Sequence, residues 1–291
     1  MKLFRLRSFV AVAETQKSVD AAKKLEITPA AISQHINDLE AEMRVDLFER
    51  KRSGMQLTPK GRLLVSHAID VLESVHVLEK KAAVLEEDVF DTLRIGICTS
   101  PADLRLSEIT SSVHDTNSRT SIHPRRMHTS QIITALLDYD LDAGFVLADA
   151  VPRRLDLVGI TLMDTAVIIP SGWEDLLQSS DTSIWAALAD KPWIHAGPDC
   201  MLQTLADKRF RSMGLKYAST LQAPDASVRA SFVTAGFGAS MMLRDRAGRV
   251  NGVCIAEVEE KTCPLGLVYL RSRANDPSIE HLRAAVADTW I

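Results

Sequence analysis

Between Thr28 and Glu40 the chain carries side chains suited to reading nucleic acid rather than to making or breaking bonds. Thr28 supplies a hydroxyl at a helix N-cap, and Pro29 fits the first helical position, where a missing N–H costs nothing. At helical spacing from there, Ala31, Ile32, Ile36 and Leu39 fall on one side, and Ala30, Ser33, Gln34, Asn37 and Asp38 on the other. The second side is small and polar, and such side chains reach base edges or phosphate oxygens. An ordinary amphipathic helix would satisfy the same pattern, so the neighbours have to decide. A basic run follows, Arg50-Lys51-Arg52 with Ser53-Gly54, held between the apolar anchors Leu47-Phe48 and Leu57. Its chemistry is phosphate contact, although a charge run can equally be a solvated face.

Bond-making chemistry has thinner support. His123 and His128 are five apart, a spacing that suits no helical metal pair, and no CxxC occurs. No GxSxG or P-loop is present, and Gly236-Phe237-Gly238 alone is far too short to mean a dinucleotide site. Neither an enzyme nor a cofactor or metal is expected.

The elements around residues 28–40 give that face its meaning. Leu3, Leu6, Phe9, Val10, Val12 and Ala13 form a first helix at helical spacing. Ser18 is expected to cap a second, whose Ala21, Ala22 and Leu25 turn inward, the two alanines allowing close helix approach. Two short helices, a brief turn and a polar-faced helix make a helix-turn-helix, whose last member enters the major groove. The basic run is then the wing hairpin of that module. Thr58-Pro59 repeats the helix start, and no proline or glycine interrupts residues 63–89. There Leu64, Ala68, Val71, Val75, Leu78, Ala82, Leu85 and Val89 alternate by four and three, with Lys80, Lys81, Glu86 and Glu87 mostly off the stripe. That is a heptad seam on a helix of about 30 residues, and intermolecular pairing is expected, with packing on its own domain the alternative.

Residues 3–64 resemble the DNA-binding domain of the LysR-type transcriptional regulators. The resemblance rests on Phe9, Val12, Ser18, Ala21-Ala22, Leu25, Thr28, Ala30, Ser33-Gln34, Ile36, Leu39-Glu40, Leu47-Phe48, Arg50, Leu57-Thr58, Gly61 and Leu64. Lys17 and Arg44 stand where that family usually has glycine. The resemblance implies a winged helix-turn-helix over 1–58, a linker and dimerisation helix over 59–89, and a DNA contact set of Ser18, Thr28, Pro29, Ala30, Ser33, Gln34, Asn37, Arg50, Lys51 and Arg52. Charge agrees: residues 1–62 hold 12 Lys+Arg against 8 Asp+Glu, a net of +4, whereas residues 63–291 hold 22 against 30, a net of −8. One module of +4 binds weakly, so paired modules and steep salt dependence are expected.

Beyond the linker helix, strands are predicted at 92–98, 121–123, 143–147, 166–169, 192–194 and 240–243. Helical patterns stand at 132–137, 184–188, 202–213, 228–235 and 278–289. The alternation argues for parallel α/β sheets with a ligand at the carboxyl ends of the strands. Through Leu93-Arg94-Ile95-Gly96, Leu136-Leu137, Leu141-Asp142 and Val233-Thr234-Ala235-Gly236-Phe237-Gly238, residues 92–291 resemble the family's effector-binding domain. Tyr139 replaces a common glycine there, and Leu243 a frequent proline. The resemblance implies a two-lobed fold similar to periplasmic binding proteins, lobe I at 92–162 and 267–291 and lobe II at 163–266, with the two crossings as hinge. The candidate effector residues are Thr99, Ser100, Thr129, Ser130, His195, Ala196 and Gly197, each hydroxyl being equally readable as a plain N-cap. Together they suggest a small polar, carboxylate-bearing ligand, aromatic and aliphatic bodies staying open.

Nothing resembles a signal peptide or a transmembrane run, so the expected location is cytoplasmic. The four cysteines, Cys98, Cys200, Cys254 and Cys263, are then expected to be reduced. Buried structural cysteine is the expected role of each; Cys200 falls near the place where the family's peroxide-sensing members keep a reactive cysteine, which gives a redox alternative, and Cys254 and Cys263 flank a turn-like segment that could bring them together across a hairpin. The expected whole is a transcriptional regulator that binds double-stranded DNA and a small-molecule effector. It pairs with itself as a dimer, with the tetramer implied by the family, and uses no membrane. The competing reading is a small-molecule-binding protein without a DNA role.

Overall fold

The computed structural model describes residues 2–51, 54–84, 91–178, 181–256, 258 and 262–290. The chain divides into two compact units, residues 1–89 and 90–291. No described helix is long and apolar enough to cross a membrane.

The first unit packs α1 (Leu3–Thr15), α2 (Ser18–Lys24) and α3 (Pro29–Met43) around Leu6, Phe9, Val12, Ala21, Ala22, Ile32, Ile36 and Leu39, all buried. Ser18 does not cap α2. It is the first helical residue, and the N-cap is Lys17, whose extended backbone (φ −138°) makes no demand for glycine. The left-handed residue that the turn needs lies one earlier, at Gln16 (φ 58°). The wing is an antiparallel hairpin of β1 (Phe48–Lys51) and β2 (Gly54–Leu57), with Lys51 opposite Gly54. Arg52 and Ser53 lie outside the described residues. The wing is seated on the end of α1: the Met55 N–H donates to Gln16 O at 2.9 Å. A Cβ on Gly54 would stand 2.4 Å from that same oxygen, so only glycine fits. The helix α4 (Pro59–Val84) starts at Thr58, whose Oγ1 accepts the Gly61 N–H and donates to Asp46 O.

The second unit contains β3 (Asp91–Ile97), α5 (Leu106–Thr116), β4 (Thr120–Arg126), α6 (Thr129–Leu137), β5 (Ala143–Leu147), β6 (Leu155–Pro170) and α7 (Asp181–Ala189). It continues through β7 (Pro192–His195), α8 (Met201–Ser212), β8 (Ala218–Gln222), α9 (Ala226–Thr234), β9 (Ser240–Leu243) and α10 (Arg244–Ala247). The closing elements are β10 (Val253–Ala256), β11 (Thr262–Leu270) and α11 (Pro277–Trp290). The main sheet has the order β10-β6-β11-β5-β3-β4, with β9 also on β6, and β7 pairs β8 separately.

The sheets are mixed, not parallel throughout. Strands β3, β4 and β5 run parallel, joined through α5 and α6, but β11 is antiparallel to both β5 and β6. Strand β6, reached from β5 through residues 148–154, runs parallel to β5, and β11 lies between the two, antiparallel to each. Strand β6 then links two lobes. Leu155–Asp164 pairs β11, and from Thr165 onward the strand pairs β9 and β10. Lobe I is tied together at Asp142, which is fully buried. It accepts the Arg94 N–H at 2.8 Å, and the buried Arg273 guanidinium neutralises it. Lobe II is centred on Trp185, Trp193 and Phe210, with Trp185 and Phe210 edge-to-face at 4.9 Å.

Strand register also rules out an approach of Cys254 to Cys263 across a hairpin. Cys254 lies opposite Ile169 and Cys263 opposite Met163, on strands flanking different parts of β6. Six residues at about 3.3 Å each set them roughly 20 Å apart along the sheet. All four thiols are free.

Candidate nucleic-acid interface and effector cleft

Helix α3 presents the face that its sequence promised. Thr28 Oγ1 accepts the Ala31 N–H at 3.2 Å, and Pro29, Ala30, Gln34 and Asn37 are exposed while Ile32, Ile36 and Leu39 are sealed beneath. Ser33 is half-buried, its Oγ donating to Pro29 O at 3.1 Å. The Gln34 amide donates to Asp38 at 2.6 Å, and Arg5 closes on Asp38 at 2.8 Å and on Glu42 at 3.0 Å. These bonds hold the far end of the face and cancel its acidity. Asn37 makes no side-chain hydrogen bond among the described residues, so its amide is available. Glu40 faces the other way, accepting the N–H groups of Leu47 and Phe48, and so fixes where the wing leaves α3.

The heptad stripe on α4 divides in two. Ala68 is buried and Leu64 half-buried against the helix-turn-helix core, so these two seam positions are spent within their own unit. Their reason is the neighbouring α1, which covers the first turns of α4. Further along, Val71 is 39% and Leu78 67% exposed, and with Asp70, Ser74 and Val75 they line an apolar groove. Ala82 is exposed as well, while Leu85 and Val89 lie outside the described residues.

The second unit has a cleft of about 470 Å³ at the carboxyl ends of its strands. Lobe I contributes Cys98 and Thr99 after β3, Arg126 to His128 after β4, and Leu147 at the end of β5. Lobe II contributes Cys200, Leu202, Asp225, Arg229, Met242 and Arg246. Among the described residues, the ion pairs Arg126–Asp225 at 3.5 Å and Arg249–Asp103 at 3.6 Å bridge the lobes.

Of the expected effector residues, Thr99 lines this cleft, its hydroxyl donating to Asp103 at 2.8 Å. Ser100, Thr129, Ser130, His195, Ala196 and Gly197 are not among its walls. Apart from Ser130, they serve the scaffold: Ser100 Oγ accepts the Asp103 N–H, and Thr129 Oγ1 accepts the Leu147 N–H. His195 Nδ1 accepts the Gly197 N–H, and the Ala196 N–H donates to Gln203.

What sequence reasoning missed is the cationic wall of Arg126, Arg229 and Arg246, with Asp225 among them. Burial pushes the Asp225 carboxyl up, but the Val228 and Ser227 amides together with Arg126 and Arg246 outweigh it and hold the group below the usual carboxylate range. Burial pushes the Arg229 guanidinium below its ordinary range. The signal was present in two forms, Arg126 directly after a strand and Asp225 as a cap just ahead of an Arg one turn into a helix.

Residues 3–62 match the model described as bacterial regulatory helix-turn-helix protein, lysR family, and residues 87–290 match the LysR substrate binding domain. A probable hydrogen peroxide-inducible genes activator of Mycobacterium xenopi is 30% identical over 167 residues, 57% of this chain and 88% of that protein. The uncharacterized HTH-type transcriptional regulator YnfL of Escherichia coli K12 is 26% identical over 290 residues, 97% of each chain. Among solved structures, full-length BenM, a regulator known from Acinetobacter baylyi, aligns with a TM-score of 0.56 at 21% identity, covering 100% of this chain and 97% of that one. A cysteine mutant of Corynebacterium glutamicum OxyR aligns with a TM-score of 0.57 at 21% identity, covering 99% and 92%. These two likenesses carry the fold. The two family models between them span nearly the whole chain, one on the winged helix-turn-helix and one on the two-lobed unit with its cleft, and the protein therefore belongs to the LysR family of DNA-binding transcriptional regulators with an effector-binding domain.

Proposed function

We propose a division of labour within this regulator. Ala30, Ser33, Gln34 and Asn37 read base edges of an operator half-site, Ser18, Thr28 and Pro29 approach the backbone beside them, and Arg50, Lys51 and Arg52 hold phosphates from the wing. The exposed part of the α4 stripe, Val71, Val75, Leu78 and Ala82, pairs two subunits. An effector enters the cleft between the lobes and acts through its different affinity for two arrangements of the paired subunits. The protein regulates rather than catalyses, and it works in the cytoplasm, where its DNA is.

The observation that carries this reading is the groove of Val71, Val75 and Leu78, an apolar stripe left uncovered by its own unit on a helix that continues away from the module. Leu78→Glu with Val75→Glu tests it, because Leu78 at 67% exposure contributes little to the fold of one subunit. The expected result is a halved mass by light scattering with the far-UV circular dichroism spectrum kept, together with loss of the retarded complex in gel shifts on the protein's own upstream region. Unchanged mass and unchanged DNA binding in the double variant exclude pairing through α4. Absence of any complex for the parent protein at low salt favours a binding protein without a DNA role.

A further inference from the structure

Three helices direct their N-termini at the cleft: its walls include His128, Cys200 and Asp225, the N-cap residues of α6, α8 and α9. Each N-terminus concentrates roughly half a positive charge in N–H groups without intrahelical partners. Arg126, Arg229 and Arg246 add three full charges, against the single carboxylate of Asp225. That carboxylate is already committed. Its Oδ1 accepts the Ser227 and Val228 N–H groups at 2.7 and 3.1 Å, and its Oδ2 faces Arg126 at 3.5 Å.

Arg229 is the residue that demands a partner. It is 2% exposed, its Nη1 donates to the carbonyls of Ala223 and Pro224, and its Nε has no acceptor. It forms no ion pair among the described residues. A buried guanidinium whose neighbouring carboxylate, Asp225, is engaged by two amides and Arg126 is under-compensated, and an anion in the cleft relieves it. Arg246, held by a 2.6 Å bond to Ser227 Oγ, stands on the same wall and shares the Asp225 carboxylate with Arg126. The rest of the lining is apolar, with Met127, Leu147, Leu202 and Met242. The volume of about 470 Å³ lies within the range of small-molecule sites.

We infer that the effector is a small organic carboxylate, its anionic end held by Arg229 and Arg246 at the convergent helix N-termini and its apolar body laid against Met127, Leu147 and Met242. The inference rests on the cleft being the effector site.

The test is a thermal-shift series on the full-length protein with propanoate, hexanoate, phenylacetate and succinate, each beside its primary amide, and with inorganic phosphate. At least one acid is expected to raise the melting temperature where its amide does not. Arg229→Gln and Arg246→Gln are each expected to weaken that acid about tenfold or more, the loss of a charge-assisted bond, while Arg229→Lys keeps part of it should the glutamine variant fold poorly. Amides that match their acids, with the shift lost in Met127→Trp, overturn the carboxylate and leave the cleft standing as the effector site. No acid exceeding its amide, or a larger Arg229-dependent shift from phosphate, overturns it too. An acid whose shift survives Arg229→Gln, Arg246→Gln and Met127→Trp overturns the inference and the cleft reading together.

Discussion

Cys98 lines the cleft, yet its thiol is pushed up to about 12 by burial, a rise that the bonds from backbone amides and Thr129 offset only in part. Cys263 is pushed to about 12 as well, by burial and then by the neighbouring thiols of Cys98 and Cys200. An unfolded cysteine titrates near pH 8.5, so the folded state holds these two protons more tightly. Their contribution to stability is complete below about pH 8.5 and is lost as pH rises toward 12. Two outcomes follow. Iodoacetamide at pH 8 modifies Cys200 and Cys254 ahead of Cys98, which is equally half-buried but whose thiol is pushed up, and ahead of the buried Cys263, as peptide mass spectrometry will show. A Cys98→Ser variant loses less stability than the parent between pH 9 and 11, measured by urea unfolding. Alkylation of Cys98 at the pace of Cys200 contradicts both. None of this ranking was available from spacing, because burial and neighbour charge are tertiary quantities. The single thiol that sequence marked beside the cleft was Cys200.

At the level of elements, legibility followed locality. Helix α3 was readable because its cap, its proline and its two faces all lie within fifteen residues, and α4 because its stripe repeats without a breaker. Strand β6 was not: its sixteen residues change partners at Thr165, and only the apolar run from Ala166 reads as a buried strand. Strand β11 was hidden by Pro264 and Gly266, which punctuate loops elsewhere but here sit in the ladder opposite Leu162 and Gly159. Helix α5 escaped because its serines and threonines mask a stripe of Leu106, Ile109 and Val113. Helix ends behave differently again. Arg44 closes α3 at φ 55°, ψ 40°, accepting the left-handed strain that glycine would avoid, and Tyr139 does the same at φ 64°. Tyr139 is compensated by a 2.9 Å bond between its hydroxyl and Arg154. Arg44 is exposed, and no hydrogen bond of its side chain occurs among the described residues. Arg44→Gly is therefore expected to stabilise the first unit by about 1 kcal/mol, the relief of strain less the extra freedom of an unfolded glycine. Urea melts followed by circular dichroism check it, and a loss of stability would mean that the arginine makes a contact outweighing its backbone.

For the whole molecule, charge and pairing have to be considered together. Residues 1–62 carry +4 on a protein that is −4 overall, so a single module grips phosphates weakly and the remainder of the chain opposes it. Each phosphate neutralised releases counterions, and the logarithm of the binding constant falls with the logarithm of salt by about 0.9 per contact on duplex DNA. Under the proposed division of labour, a paired protein brings two sets of Arg50, Lys51 and Arg52 to one operator, whereas a subunit with a disabled α4 seam brings one. The salt slope of the Leu78→Glu, Val75→Glu protein should then be about half that of the parent, measured by fluorescence anisotropy on one duplex between 50 and 200 mM salt. Substituting Lys51→Ala in the parent should reduce the slope by about two contacts, one per subunit, without changing which operator bases matter. Changes at Asn37 should do the reverse, leaving the slope while altering discrimination among bases by about 1–3 kcal/mol. A double variant that keeps the full slope would place both modules on DNA without help from Val75 and Leu78, and the apolar groove on α4 would then need another occupant.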